Sequence, residues 1–82
     1  MSIEVFFGKH LREMREEKKL SQEELAFLSN LDRTYISLLE RAKRRPTINT
    51  IFALAKPLDI TPSEMVKMIE LDLASEIGRS DS

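Results

Sequence analysis

The chain has no cysteine and no tryptophan, and only one histidine, two glycines and three prolines among 82 residues. Each shortage excludes something. Without cysteine there is neither a disulfide framework nor a thiolate metal site. A single histidine, His10, with no His/Cys/Asp cluster at ligand spacing, leaves no metal centre, and no nucleophile motif surrounds the serines. Two glycines cannot build a Gly-rich phosphate loop. No enzyme and no cofactor are therefore expected. No apolar stretch approaches the ~20 residues that cross a bilayer. The opening MSIEVFFGK lacks a charged leader followed by a long apolar run. A cytoplasmic protein with no membrane partner is the expectation.

What is present is a helical pattern. Eighty-two residues suffice for one small domain, and 41% hydrophobic content is enough for a core. So short a chain sits near the margin of stability, which keeps oligomerisation open. No alternating run suggests a strand. A first helix is expected over Ile3 to Lys19, with Phe7, Leu11 and Met14 on one face. Ser21 followed by Glu24 is a capping box opening a second helix. Asn30 then stands where a sharp turn needs positive φ. Asp32 caps a third helix reaching about Arg41. Pro46 and Thr47 introduce a fourth, Ile48 to Ala55, with Ile48, Ile51, Phe52 and Ala55 inward, and Pro57 should end or kink it. Thr61, Pro62 and Glu64 start a fifth, over about residues 62–77. The pattern predicts an all-α, compact five-helix domain over residues 1–77 and a flexible tail over 78–82.

Charge is unevenly placed. The formal net charge is -1, yet Arg33, Arg41, Lys43, Arg44 and Arg45 crowd the stretch LDRTYISLLERAKRRP, against only Asp32 and Glu40. Residues Gln22 to Arg41 form two helices around a tight turn, with Ala26 small enough for close approach. Leu31, Ile36 and Leu39 are placed to close the angle between them. That is the pattern of a helix-turn-helix, against the plainer αα-hairpin of a small bundle. Stepping 100° per residue puts Ile36, Leu39 and Glu40 on the buried side and Thr34, Ser37, Leu38 and Arg41 outward. Small hydroxyls can approach base edges while flanking cations reach phosphates. The acidic stretch from Pro57 onward would face away from such a polyanion.

The C-terminal helix carries two apolar faces. Met65, Val66, Ile69, Leu73 and Ile77 share one arc, and Met68 and Leu71 fall on another side. One face serves the core and the other a second copy, so a homodimer is expected, with Met65, Met68, Ile69 and Leu71 as candidate interface residues.

The run LSQEELAFLSNLDRTYISLLERAKRRPT resembles the helix-turn-helix of the Cro/C1-type (XRE) transcriptional regulators. Within that family it is most similar to the controller proteins of restriction–modification systems, which share LDRTYIS-like recognition helices. The resemblance covers about residues 8–70. It implies a lambda-repressor-like fold and a dimer that regulates transcription from palindromic operators in double-stranded DNA. RNA polymerase is a further candidate partner, and no small-molecule effector is evident. By resemblance, Arg33, Thr34 and Ser37 contact bases. Gln22, Tyr35, Arg41, Lys43, Arg44 and Arg45 hold the DNA backbone, and Arg44 or Arg45 also reaches a base. Arg15 and Glu40 match a buried ion pair found in some members. Three departures stand out: Asn30 for a turn glycine, Ala42 for the glycine often found after the recognition helix, and Pro57 in the fourth helix. The alternative is a protein-interaction module or antitoxin-type regulator of the same fold, from which the cations at Lys43 to Arg45 should be missing.

Overall fold

A computed structural model describes residues 2–80, with side chains to residue 76. Five helices account for the fold: α1 (Ile3–Glu17), α2 (Gln22–Ser29), α3 (Arg33–Glu40), α4 (Ile48–Ala55) and α5 (Pro62–Ser80). There is no strand among the described residues.

Each helix starts where a side chain satisfies its free N–H groups. Ser21 Oγ accepts from the Glu24 N–H at 3.0 Å, and Glu24 Oε1 accepts from the Ser21 N–H at 2.8 Å. Thr61 and Glu64 repeat this reciprocal box on α5 at 3.1 and 3.0 Å. The Thr61 N–H, with the Thr61 hydroxyl second, holds the Glu64 carboxyl below the ordinary carboxylate range. Asp32 caps α3 through the Thr34 N–H at 2.8 Å, and Thr47 caps α4 through the Thr50 N–H at 3.1 Å.

The scarcity of glycine has a consequence at the other ends. Lys19, Asn30, Ala42 and Asp59, at φ between 57° and 60°, all adopt left-handed backbone after α1, α2, α3 and α4. The N–H one residue further donates back into the helix in every case: Leu20 to the Arg15 carbonyl, Leu31 to Ala26, Lys43 to Leu38 and Ile60 to Ala55. This is the Schellman arrangement, which normally takes glycine. Asn30 and Asp59 tolerate it through their short polar side chains. Ala42 has no such help, and a left-handed Cβ costs about 1–2 kcal/mol.

The core draws on all five helices and includes Phe7, Leu11, Leu25, Ile36, Leu39 and Leu54. Met14 packs against its edge. Three expectations are corrected here. First, Ile48 and Phe52 do not face inward: they are 68% and 62% exposed, whereas Thr50 and Leu54 are buried with Ile51 and Ala55. Six of the eight residues of α4 are apolar, so periodicity alone cannot fix its rotation; Thr50 can turn inward because its hydroxyl lies 3.0 Å from that of Tyr35. Second, Met65 and Ile69 are core residues, 2% and 8% exposed, and are not available to a partner. Val66, from the same expected arc, is exposed instead. Third, α5 continues to Ser80, past the expected end at residue 77. Asp81, Ser82 and the side chain of Ile77 lie outside the described residues.

The single histidine joins two helices. His10 Nε2 lies 2.5 Å from Asp72 Oδ2 on α5, and its Nδ1 lies 3.5 Å from Glu13. Among the described residues no helix is long and apolar enough to cross a membrane. An apolar groove of about 740 Å³ runs beside α5, lined among others by Phe7, Ile51, Val66 and Leu73. Nothing in the sequence pattern signals it.

Candidate nucleic-acid interface

α2 and α3 pack through Ala26, Ile36 and Leu39, all buried, with Leu31 half-buried in the turn between them. α1 braces α3 from behind. Its Gly8 lies so close to the end of α3 that an added Cβ would sit 2.6 Å from the Leu39 carbonyl oxygen and 2.7 Å from that of Glu40. Residue-pattern reasoning missed Gly8. The available signal was a glycine isolated inside an otherwise helical run, which costs helix propensity and so points to a packing reason.

Arg15 and Glu40 lock the same junction. Arg15 Nε donates to Glu40 Oε2 at 2.6 Å and Nη2 to Oε1 at 3.0 Å, a two-pronged pair whose side chains are only 12% and 4% exposed. Arg15 Nη1 also donates to the Leu20 carbonyl at 2.9 Å, tying in the turn before α2. The hydrogen bonds to Glu40 push the Arg15 pKa up, outweighing the opposite effect of burial. Gln22 closes the network, its side-chain amide donating to Glu40 Oε1 at 3.1 Å. The amide expected to grip a phosphate is thus held by Glu40 and half-buried, while its backbone opens α2.

Arg33, Thr34, Ser37 and Arg41 then lie along the open side of α3. The first two and Arg41 are exposed and Ser37 is half-buried. Lys43, Arg44 and Arg45 follow at the exposed turn into α4. Two of the other expected holders are engaged within the protein. Tyr35 is half-buried with its hydroxyl on Thr50, and Arg45 Nε lies 3.3 Å from Glu4 Oε1. Capped helices, the part-buried lock of Arg15, Glu40 and Gln22 and an open face of hydroxyls flanked by cations stand together on a braced scaffold.

The family model described as helix-turn-helix matches residues 11–65. The chain belongs to the helix-turn-helix family of Cro/C1-type (XRE) transcriptional regulators. It is 41% identical over 69 residues to the control protein C.MunI of Mycoplasma sp, covering 83% of this chain and 93% of that one. Its fold matches the crystal structure of the restriction-modification controller protein C.AhdI from Aeromonas hydrophila at TM-score 0.73 and 52% identity, over 76% of this chain and 94% of that one. It also matches the controller protein C.Esp1396I, whose structure is a tetramer in complex with its natural 35 base-pair operator, at TM-score 0.78 and 32% identity, over 90% of this chain and 97% of that one. The family is one of DNA-binding regulators rather than of enzymes.

Proposed function

We propose that the protein is a restriction–modification controller that binds palindromic operators in double-stranded DNA as a dimer. The observation that carries this is the open face of α3, where Arg33, Thr34 and Ser37 stand ahead of the cationic turn from Arg41 to Arg45. Small hydroxyls and one long fork-shaped cation suit base edges in the major groove. Arg41, Lys43, Arg44 and Arg45 supply the sequence-independent grip on phosphates. The relatives' names and the operator complex of C.Esp1396I support the reading.

Its test separates readers from holders. On a site selected by the wild-type protein from random duplexes, Arg33→Ala should cost roughly 1–3 kcal/mol and relax preference at one base pair per half-site. Lys43→Ala should weaken all sequences about equally and lower the salt slope by about 1. Identical specificity profiles for the two variants, or wild-type binding that is flat from low to moderate salt, would refute it.

Pairing follows from what one recognition helix can read. Two of them related by a two-fold axis read half-sites about one helical turn apart. With Met65 and Ile69 in the core and Met68 half-buried, α5 offers only Leu71 from its expected set. Ile48 and Phe52, one turn apart on α4, form a second exposed apolar face, and we assign the dimer contact to it. Phe52→Glu should give a folded monomer in sedimentation at tens of micromolar, whereas Leu71→Glu should leave the dimer intact. The opposite pattern would return the interface to α5.

A further inference from the structure

The most cationic turn of the molecule wraps around a single carboxylate. Glu4, in the first turn of α1, lines a surface depression of about 540 Å³ together with Ala42, Lys43, Arg44 and Arg45. Arg45 Nε lies 3.3 Å from Glu4 Oε1. The two partners are not equivalent. The Arg45 side chain is 86% exposed, while that of Glu4 is 27% exposed. Glu4 is also anchored electrically. Its own backbone N–H comes first, then the Ser2 hydroxyl, and Arg45 adds to them in holding the carboxyl below the ordinary carboxylate range. A carboxylate in the first turn of a helix is further favoured by the helix dipole. Glu4 is therefore the more enclosed member of the pair and Arg45 the more exposed one.

We propose that Glu4 sets the DNA affinity of this protein by competing with a DNA phosphate for Arg45. This rests on the reading of the basic turn as a phosphate holder. The ion pair keeps the Arg45 Nε beside Glu4 and its charge partly neutralised, so a phosphate bound there competes with the carboxylate for the same guanidinium. The contact it competes with is exposed, and such pairs are weak, so the restraint amounts to a few-fold in affinity. Because phosphate contacts carry no sequence information, it acts equally on operator and random DNA. Its consequence is a smaller fraction of the protein held on random sequence, where the electrostatic grip dominates.

The experiment is a double-mutant cycle with E4Q and R45A, read on a duplex selected by the wild-type protein and on an unselected duplex of equal length. E4Q should bind both about three- to fivefold more tightly at low salt. The gain should shrink as salt screens the exposed charges. In the R45A background the same substitution should change nothing. Melting of each variant by circular dichroism verifies that folded protein is compared, and R45A, which leaves α1 untouched, supplies a second arm. Unchanged or weaker binding by E4Q overturns the proposal. So does a gain that persists in R45A, which would mean general repulsion of DNA by the carboxylate. If the wild type selects no duplex from a random pool, the DNA reading fails and the proposal with it; a wild type that binds alongside an unaltered E4Q overturns the proposal alone.

Discussion

Arg15→Met should lower stability by roughly 3–5 kcal/mol, because it strands a carboxylate that the fold has already removed from water. The Glu40 side chain is 4% exposed and would keep only the Gln22 amide, and the Leu20 carbonyl would lose its donor. A chain of this size has about 4–12 kcal/mol in total, so the loss is a large share of its stability and the denaturation midpoint should fall sharply. Part of that loss is the cost of an unpaired charge and not the worth of the pair. Replacing both partners, Arg15→Met with Glu40→Met, should therefore give a protein more stable than either single variant. Chemical denaturation checks both statements. An unchanged midpoint for Arg15→Met would mean that the pair contributes nothing, and a double variant weaker than both singles would mean that the hydrogen bonds to Leu20 and Gln22 outweigh the charge.

Gly8→Ala should be the second large loss, and its direction runs against local propensity. Alanine is better than glycine in a helix interior by about 1 kcal/mol. At this position, however, the new methyl would meet the carbonyl oxygens of Leu39 and Glu40 at 2.6 and 2.7 Å and the Glu40 carbonyl carbon at 3.0 Å. These are backbone atoms at the end of the recognition helix, and no side chain can swing aside to make room. α1 and α3 must separate, at a net cost of roughly 2–3 kcal/mol. Melting temperature should fall by about 10–20 °C, since 1 kcal/mol moves a domain of this size by about 4–8 °C. Glu40 sits at the displaced end, so the Arg15 pair loosens too and the losses in Gly8→Ala with Arg15→Met should not add. A melting temperature equal to or above that of the wild type would show that the helices can part without penalty.

Both substitutions act at one junction, and the sequence revealed its halves unequally. Arg15 and Glu40 stand out by resemblance to relatives, and the fold places them within 2.6 Å. Gly8 has no signature beyond being a glycine in a helix.

That contrast holds along the chain. Helix starts at Ser21, Asp32, Thr47 and Thr61 are legible because a cap and its partner lie within three residues. The bend at Asn30, the stop before Pro57 and the outward face of Thr34 and Ser37 are legible for the same reason: backbone geometry over a few residues decides them. What tertiary structure decided depends on elements far apart in the chain. The rotation of α4 follows the hydroxyl contact between Tyr35 and Thr50. The side of α5 that meets the core took Met65 and Ile69 from the expected interface. The amide of Gln22 turned inward because Glu40, eighteen positions away, had an oxygen for it. The guanidinium of Arg45 met a carboxylate from the first turn of α1, far away in the sequence. Periodicity says that a helix has an apolar face, but packing chooses which residues fill it, because burial energy belongs to the contact between two surfaces and is absent from either one alone.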